Sequence, residues 1–489
     1  MIDLDQLQLF GGKITVKPSD NIFYELGNNT YDFKDLLSEL IDNSIAARRL
    51  DVRLKISIEF WVDNKNNCGM ISIKDNALGI PQDKLGLSLS PAALQSKNSL
   101  NEHGLGMKQA ISALGTLKYL ATKTPTVSQA IVVRELKYGE LDCYSCDYPD
   151  ISGTEICIEH IKPIVNVNPQ SVTMTLVPYL GARYRRFLRP ENRLAEISIL
   201  SRNLKTGGVL YSWDVTEVKP YYFHPSNRMN KPVIENRKIS GPGWKAELTF
   251  GYAPTEYELK ELGIDPLPHY HPYTVSLSKQ GLDIILYDRV VLFHQLSELG
   301  IVNVRHSDYN LARGEINLLE GFITAITKNS IIIDDHFMDC IAKVKDILEG
   351  SDDEKGYLKV KRYPAEIPER LLRDRLKNWL ENNPVNKKNN VKTEYTIEGL
   401  AGSIDILADG EAWEIKRDQA DGLDVYQLFA YMDMGNIDKG FLLATSHTTG
   451  AAAACDFIKE KHKKEIILAE RKDFPINHTP YEDERKEYY

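Results

Sequence analysis

The segment GSIDILADGEAWEIKRD restricts the fold of this chain more tightly than any other. Asp409 and Gly410 stand between two runs of alternating apolar residues, which is the pattern of a two-residue hairpin turn. Such a turn fixes the register. With Ala408 opposite Glu411, Leu407 faces Ala412, Ile406 faces Trp413, Asp405 faces Glu414 and Ile404 faces Ile415. Residues directly opposite share a face, with Cβ atoms about 4.5 to 5.5 Å apart. Asp405 and Glu414 therefore point the same way, and Lys416, two residues on, joins them. Ile404, Ile406, Trp413 and Ile415 are left for the other face, the expected core.

Two adjacent carboxylates repel unless a cation lies between them. Mg²⁺ suits the place, because it prefers oxygen ligands and keeps waters for chemistry. A lysine beside those waters can orient or help deprotonate a nucleophile and offset charge on a phosphate. The same residues also fit an exposed strand face on which Lys416 neutralises two acids.

At 489 residues the chain exceeds one core, and a typical size of about 150 residues per domain predicts roughly three. The pattern divides it into residues 1–170, 171–348, a charged and Gly-containing linker at 349–357, a third domain at 358–475, and a tail at 476–489. The first two read as α+β. In the second, a helical stretch LVPYLGARYRRFL leads into the strands AELTFGYA and GLDIILYDRVVLF, then a helix around FITAITKNSI. No run of eighteen apolar residues is present, so no membrane span is expected. Acids stand in MIDLDQLQLF where a signal peptide would be basic, and six cysteines are too sparse for a disulfide framework; both point to the cytoplasm. Cys143 and Cys146 have C-x-x-C spacing but no second pair nearby, leaving structural zinc and ordinary strand thiols open. A net charge of -9 excludes a uniformly basic coat but not local patches. Ten Lys or Arg against four acids lie between Lys359 and Lys392, and Arg183, Arg185, Arg186, Arg189 and Arg193 crowd another segment. Each run can contact phosphates or form a solvated helix face.

FKDLLSELIDNSIAARRL has helical periodicity, with Leu36, Leu37, Leu40 and Ile41 on one side. Glu39, Asp42 and Asn43 sit at i, i+3 and i+4 and share a face. A carboxylate beside a carboxamide suits one group activating a water and another holding Mg²⁺, although a solvated face would look the same. After the strand MISIK comes DNALGIP, with Asp75 at the strand end and Gly79 four residues on. HGLGMKQAISALG then places Gly104 and Gly106 at the opening of a helix, and Gly153 and Thr154 precede another strand. Glycines at a helix N-terminus let backbone N–H groups approach phosphates closely. A carboxylate at a strand end can accept a hydrogen bond from an exocyclic amine.

In this order and spacing the four segments resemble the motifs of the GHKL, or Bergerat-fold, ATPases, the class of gyrase, heat-shock chaperones, histidine kinases and MutL. The resemblance implies that Glu39 is the general base, that Asn43 ligates Mg²⁺, that Asp75 reads the adenine amine over a floor at Gly79, and that Thr154 supports Asp75 through water. Asp42, His103, Gly104, Leu105, Gly106 and Met107 would also surround the nucleotide, with a lid between Leu85 and His103. The run LGLSLSPAALQSKNSLNEHGLGMKQA looks closest to the MORC and MutL branches. Asn101 replaces the first lid glycine, Ala77 replaces the glycine of DNGxG, and Ala46 lacks an acid common after NSI. These departures touch lid geometry and turnover more than binding. The second region resembles an S5-like transducer, in which Lys279 of SLSKQG is the candidate lysine for the γ-phosphate, with Lys245 a competitor.

Asp405 followed by Glu414-Ile415-Lys416 resembles the core of PD-(D/E)XK nucleases. That resemblance implies a metal at Asp405, Glu414 and Ile415 with Lys416 catalytic. Gln427 and Tyr431, at i and i+4 in DVYQLFAYMDMG, resemble the Q-x-x-x-Y element of the RecB-like branch. The helix PERLLRDRLKNWLE would add basic residues and an extra acid, Glu369. The expected chain is thus an α+β multidomain protein: a Bergerat ATPase α/β sandwich, an S5-like transducer and a C-terminal PD-(D/E)XK α/β nuclease. Its cofactors would be ATP and Mg²⁺, with Mn²⁺ an alternative at the nuclease site. Its partners would be DNA, a second copy in an ATP-dependent homodimer, and accessory proteins of a prokaryotic defence or restriction system. An ATP-switched DNA clamp and a MutL-like repair endonuclease are the rival readings.

Overall fold

The computed structural model describes residues 18–28, 31–92, 104–224, 229–324, 331–350, 356–358, 367–397, 399 and 402–477. The chain forms two compact units, Met1–Val360 and Lys361–Tyr489.

The first unit begins with helices α1 (Asn21–Leu26) and α2 (Phe33–Ala46), strands β1 (Leu54–Val62) and β2 (Cys68–Asp75), and helices α3 (Gln82–Leu89) and α4 (Gly106–Leu114). Strands β3 (Thr116–Lys123), β4 (Ala130–Val133), β5 (Tyr144–Cys146) and β6 (Gly153–Glu159) follow, then short helices α5 (Pro169–Ser171), α6 (Val177–Arg183) and α7 (Arg185–Leu188), and strands β7 (Ala195–Asn203) and β8 (Val209–Val215). The eight strands make one sheet in the order β5-β4-β3-β6-β2-β1-β7-β8. β1 shows why: LKISIEFWV alternates, burying Leu54, Ile56, Ile58, Phe60 and Val62 on one face. Against that face pack Leu36, Leu37, Leu40 and Ile41 of α2, Ile111 and Leu114 of α4, and Leu180, Tyr184 and Phe187 from α6 to α7. The result is a two-layer α/β sandwich. Its core runs past residue 170, the boundary expected from pattern, to Val215, because β7 pairs parallel with β1. That pairing joins residues far apart in sequence and leaves no local signature.

A second sheet of the same unit has the order β12-β11-β13-β10-β9, from β9 (Ile234–Gly241), β10 (Trp244–Tyr252), β11 (Gly281–Leu286), β12 (Arg289–Gln295) and β13 (Ala312–Glu320). Helix α8 (Glu256–Glu261) precedes β11. Most of the helix expected around FITAITKNSI, residues 325–330, lies outside the described residues; Thr324 forms a β-bridge with Ile331, and helix α9 spans Asp335–Glu349. Its start is fixed by Asp334, whose carboxylate accepts the Phe337 N–H at 2.9 Å. Phe337, Cys340, Ile341, Val344 and Leu348 bury this helix against the second sheet. The expected linker is partly attached, since Tyr357 and Leu358 pack on the same core and the Tyr252 hydroxyl donates to the Tyr357 carbonyl.

The second unit is a five-stranded sheet, β14-β15-β16-β18-β20, made of β14 (Val391–Thr396), β15 (Ser403–Ala408), β16 (Glu411–Ile415), β18 (Lys439–Ala444) and β20 (Glu465–Glu470), beside a small pair, β17 (Gln419–Ala420) and β19 (Ser446–His447). Helix α10 (Glu369–Asn382) packs Leu371, Leu372, Leu376 and Leu380 against Ile406, Trp413, Ile415 and Leu443. Helices α11 (Gly422–Met434) and α12 (Thr449–His462) pack Val425, Leu428, Met432, Ala454 and Ile458 against Ala412, Leu442 and Ala444. The sheet is therefore covered on both faces. Asp409 and Gly410 take φ of 48° and 82°, and Ala408↔Glu411, Leu407↔Ala412 and Ile406↔Trp413 pair in the predicted register. The ladder ends there. Ile404 joins the α11 cluster instead of lying with Ile406.

Candidate functional site

The first site is a cavity in the α/β sandwich, walled by Asn43 and Ser44 of α2, Asp75 of β2, Gly79, Lys84, Gly104, Gly106, Met107, Lys108 and Thr154. Asp75 is held from three sides. Its Oδ1 accepts N–H groups from Ala77 (2.9 Å) and Thr154 (3.0 Å), and its Oδ2 accepts the Ser44 hydroxyl at 2.7 Å. Burial raises its pKa, opposed by those hydrogen bonds. Thr154 thus reaches Asp75 directly through its backbone, where a water-borne contact was expected. Gly79 has φ +68°, and a Cβ there would lie 2.1 Å from the Lys123 carbonyl oxygen. Only glycine permits this turn against β3.

The face of α2 carrying Glu39, Asp42 and Asn43 is divided among different surroundings. Asn43 reaches the cavity, and its Nδ2 is buried with no hydrogen-bond partner among the described residues. Such an orphaned amide donor fits an acceptor oxygen of a polar ligand. Asp42 does not contact the cavity, contrary to expectation. It forms a fully buried ion pair with Arg289 and lies 2.9 Å from the Tyr184 hydroxyl. Glu39, 2 % exposed, is also off the cavity wall and lies in the fields of Arg183 and Arg289.

Gly104, with φ +59°, turns the chain into α4, where Gly106 and Met107 face the cavity and Leu105 is the preceding cap residue, off the wall. His103 lies outside the described residues, as do positions 93–102 of the expected lid. The first residues of that expected segment belong to helix α3 (Gln82–Leu89), with Leu85 and Leu89 buried in the core. Two wall lysines escaped sequence reasoning. Lys84 lies on α3, and Lys108, 2 % exposed, donates to the Ser88 carbonyl at 2.5 Å. A lysine just inside a glycine-opened helix was the available signal for the latter. Lys279 is not at the cavity: its amine donates to the carbonyls of His269 and His271 (both 2.9 Å) and it borders a separate cleft with Asp35, Tyr179 and Arg183.

The second site lies in the second unit, where the ladder between β15 and β16 ends. Asp405 Oδ2 accepts the Ile415 N–H at 2.8 Å. Lys416 donates to Glu414 Oε1 (3.3 Å) and Gln427 Oε1 (3.1 Å) and lies 3.5 Å from Asp424 Oδ1. Gln427 in turn donates to the Tyr431 hydroxyl at 3.2 Å. Gly402, φ +143°, leaves room for that hydroxyl, since a Cβ would lie 2.4 Å from it. Asp405, Glu414, Lys416, Gln427 and Tyr431 are thus brought together, and the charge of Glu369 acts on Asp405. Asp424 was missed; its position as third residue of α11 marks a capping box, which masked its reach to Lys416.

Burial pushes Asp405 up to about 6, and burial followed by the charge of Asp405 pushes Glu414 up to about 7. Glu414 Oε2 is buried and has no hydrogen-bond partner among the described residues. A divalent cation fits these observations, since it would relieve the repulsion and take the orphaned oxygen. Among the described residues no group of three or more His, Cys, Asp or Glu side chains is arranged to hold a metal. Two carboxylates with the Ile415 carbonyl would leave the remaining positions to water and phosphate, the usual habit of Mg²⁺.

The arginines of the 183–193 run are largely spent inside the molecule. Arg185 pairs with Glu315 (2.7 Å) and Asp283 (3.1 Å), Arg186 with Asp288 and Glu315, and Arg193 with Glu196. In the other basic run, Arg373 pairs with Glu394 and Lys388 with Glu411.

In the first unit a strand-end carboxylate and a glycine-opened helix border one cavity of a sheet-and-helix sandwich. Residues 31–156 match the family described as histidine kinase-, DNA gyrase B-, and HSP90-like ATPase. The match spans the first site and about a quarter of the chain. No curated protein matches the sequence significantly. Among the described residues no helix is long and apolar enough to cross a membrane.

Proposed function

We propose that this chain is an ATP-regulated, metal-dependent DNA nuclease, with its ATPase site in the first unit and its hydrolytic site in the second. The ATPase half is supported by the family match and the cavity around Asp75. In it Asp75 receives the adenine amine, Gly79 lets the base lie close to the backbone, Asn43 holds Mg²⁺, and the N–H groups that open α4 receive phosphate oxygens. Glu39 is the base for the attacking water. ATP binding pairs two copies of the domain in a dimer, and the second sheet of the unit serves as transducer.

The observation that carries the nuclease half is the buried pair Asp405 and Glu414, both with raised pKa and with the Glu414 Oε2 orphaned, beside Lys416. Asp405, Glu414 and the Ile415 carbonyl would hold Mg²⁺ or Mn²⁺, which when bound supplies Lewis acidity and a water of lowered pKa. Lys416, held by Gln427 and Asp424, faces the scissile phosphate and orients the attacking water. Tyr431 fixes Gln427. This set belongs with PD-(D/E)XK nucleases of the RecB-like branch, and its union with a MORC- or MutL-like ATPase suits a cytoplasmic component of prokaryotic DNA defence or restriction.

The test is to incubate purified protein with supercoiled, linear and single-stranded DNA, with and without Mg²⁺ or Mn²⁺, ATP and a nonhydrolysable analogue. Metal-dependent cleavage whose rate responds to nucleotide supports the proposal. DNA retention without cleavage under every metal condition would replace it with an ATP-switched clamp.

A further inference from the structure

The hairpin of β11 and β12 turns at Tyr287 and Asp288, both at positive φ, and Tyr287 packs against both cores of the first unit. Immediately after the turn, Arg289 enters the sandwich. Its side chain and that of Asp42 are both fully buried, and they form an ion pair. Asp42 is further fixed by the Tyr184 hydroxyl, which also lies 3.0 Å from the Ser38 carbonyl, so this stretch of α2 is held at several points. On the other side of the turn, Asp288 pairs with Arg186 at 3.2 Å.

These contacts fall on Ser38 and Asp42, the helix face that also carries Glu39, while Leu40, Asn43 and Ser44 face the cavity. The groups that hold the Asp75 carboxylate come from α2, the segment just after β2, and β6, and among the described residues none comes from the second sheet. We propose that Arg289 is a positioning residue for ATP hydrolysis: by holding Asp42 and placing a cation beside Glu39, it makes the second sheet necessary for turnover but not for nucleotide binding.

The chemistry favours arginine here. Burial pushes the Arg289 guanidinium down to about 10 while Glu39 pulls it up, so it remains a cation at neutral pH. Its fork can serve Asp42 with one nitrogen and leave the others near Glu39, which a lysine ammonium does less well. Arg183, buried on α6, also acts on Glu39, so two cations act on the base, one from a helix of the sandwich and one from the second sheet. A rotation of the second sheet would move only one of them.

This inference rests on Glu39 being the base. Full-length Arg289→Met, Arg289→Lys, the neutral double variant Asp42→Asn/Arg289→Met, and Glu39→Gln are compared for ATP kcat and KM, and for binding of a nonhydrolysable analogue. Arg289→Met should lower kcat on the order of 10²-fold while leaving the analogue Kd near wild type, since small misplacement of a catalytic group is that costly. Arg289→Lys should recover much of the loss. The double variant, which leaves no unpaired buried charge, should fold and remain slow. Wild-type kcat in Arg289→Met, or parallel loss of kcat and binding in the double variant, overturns the inference, as does failure of both methionine variants to fold. Wild-type turnover in Glu39→Gln would instead reject the assignment of the base.

Discussion

Asp405 and Glu414 carry their raised pKa values because burial and mutual repulsion both disfavour two charges. The sign of the resulting pH dependence follows. Acids whose folded pKa exceeds the unfolded value stabilise the fold fully below about 4, and that stability is lost as pH rises through about 6 to 7. Without metal, the melting temperature of wild type relative to Glu414→Gln should therefore fall between pH 5 and 8, by the equivalent of roughly 2 kcal/mol. Mg²⁺ should restore wild type and not the variant, and equal metal responses would remove Glu414 from the metal site. In the first unit, Glu39→Ala should slow ATP hydrolysis by about 10²- to 10⁴-fold with binding intact, whereas Asp75→Ala should lose binding. Isothermal titration beside a turnover assay checks both. That Asn43, Asp75 and Gly79 share one cavity was legible because the motifs that carry them are local in sequence. The true partner of Asp42 was not, because Arg289 lies 247 positions away.

Turns are where sequence and element geometry agree best in this chain. Asp409-Gly410 dictated the register of β15 and β16 because two successive positive φ angles suit few other dipeptides. What it could not reveal was the end of the ladder, where the Asp405 carboxylate takes the Ile415 amide. Helix α9 starts where the Asp334 carboxylate caps it, a local signal of the same kind. The turn at Gly79 allows a sharp prediction. Gly79→Ala must move a Cβ away from the Lys123 carbonyl and strain a positive φ, so it should abolish nucleotide binding while Gly86→Ala, where a Cβ meets nothing within 4 Å, should not. Comparable affinities in the two variants would mean that the turn does not shape the nucleotide site.

At the scale of the molecule, three domains were expected where the chain forms two compact units, and the first sheet runs past residue 170 because sheet order is decided by long-range pairing. The eight-stranded sheet needs β7 and β8, and no periodicity within 195–215 says which strand they join. The proposed closure of two ATPase domains predicts that a nonhydrolysable ATP analogue raises the apparent mass in light scattering from one copy to two. An unchanged mass at saturating analogue would remove the dimer. The central claim, two separate chemistries in one chain, is tested most directly by measuring ATP turnover and nicking of supercoiled DNA on the same preparations of wild type and Asp405→Ala. The account predicts that Asp405→Ala loses Mg²⁺-dependent nicking and retains wild-type ATP turnover; nicking by Asp405→Ala at the wild-type rate would contradict it.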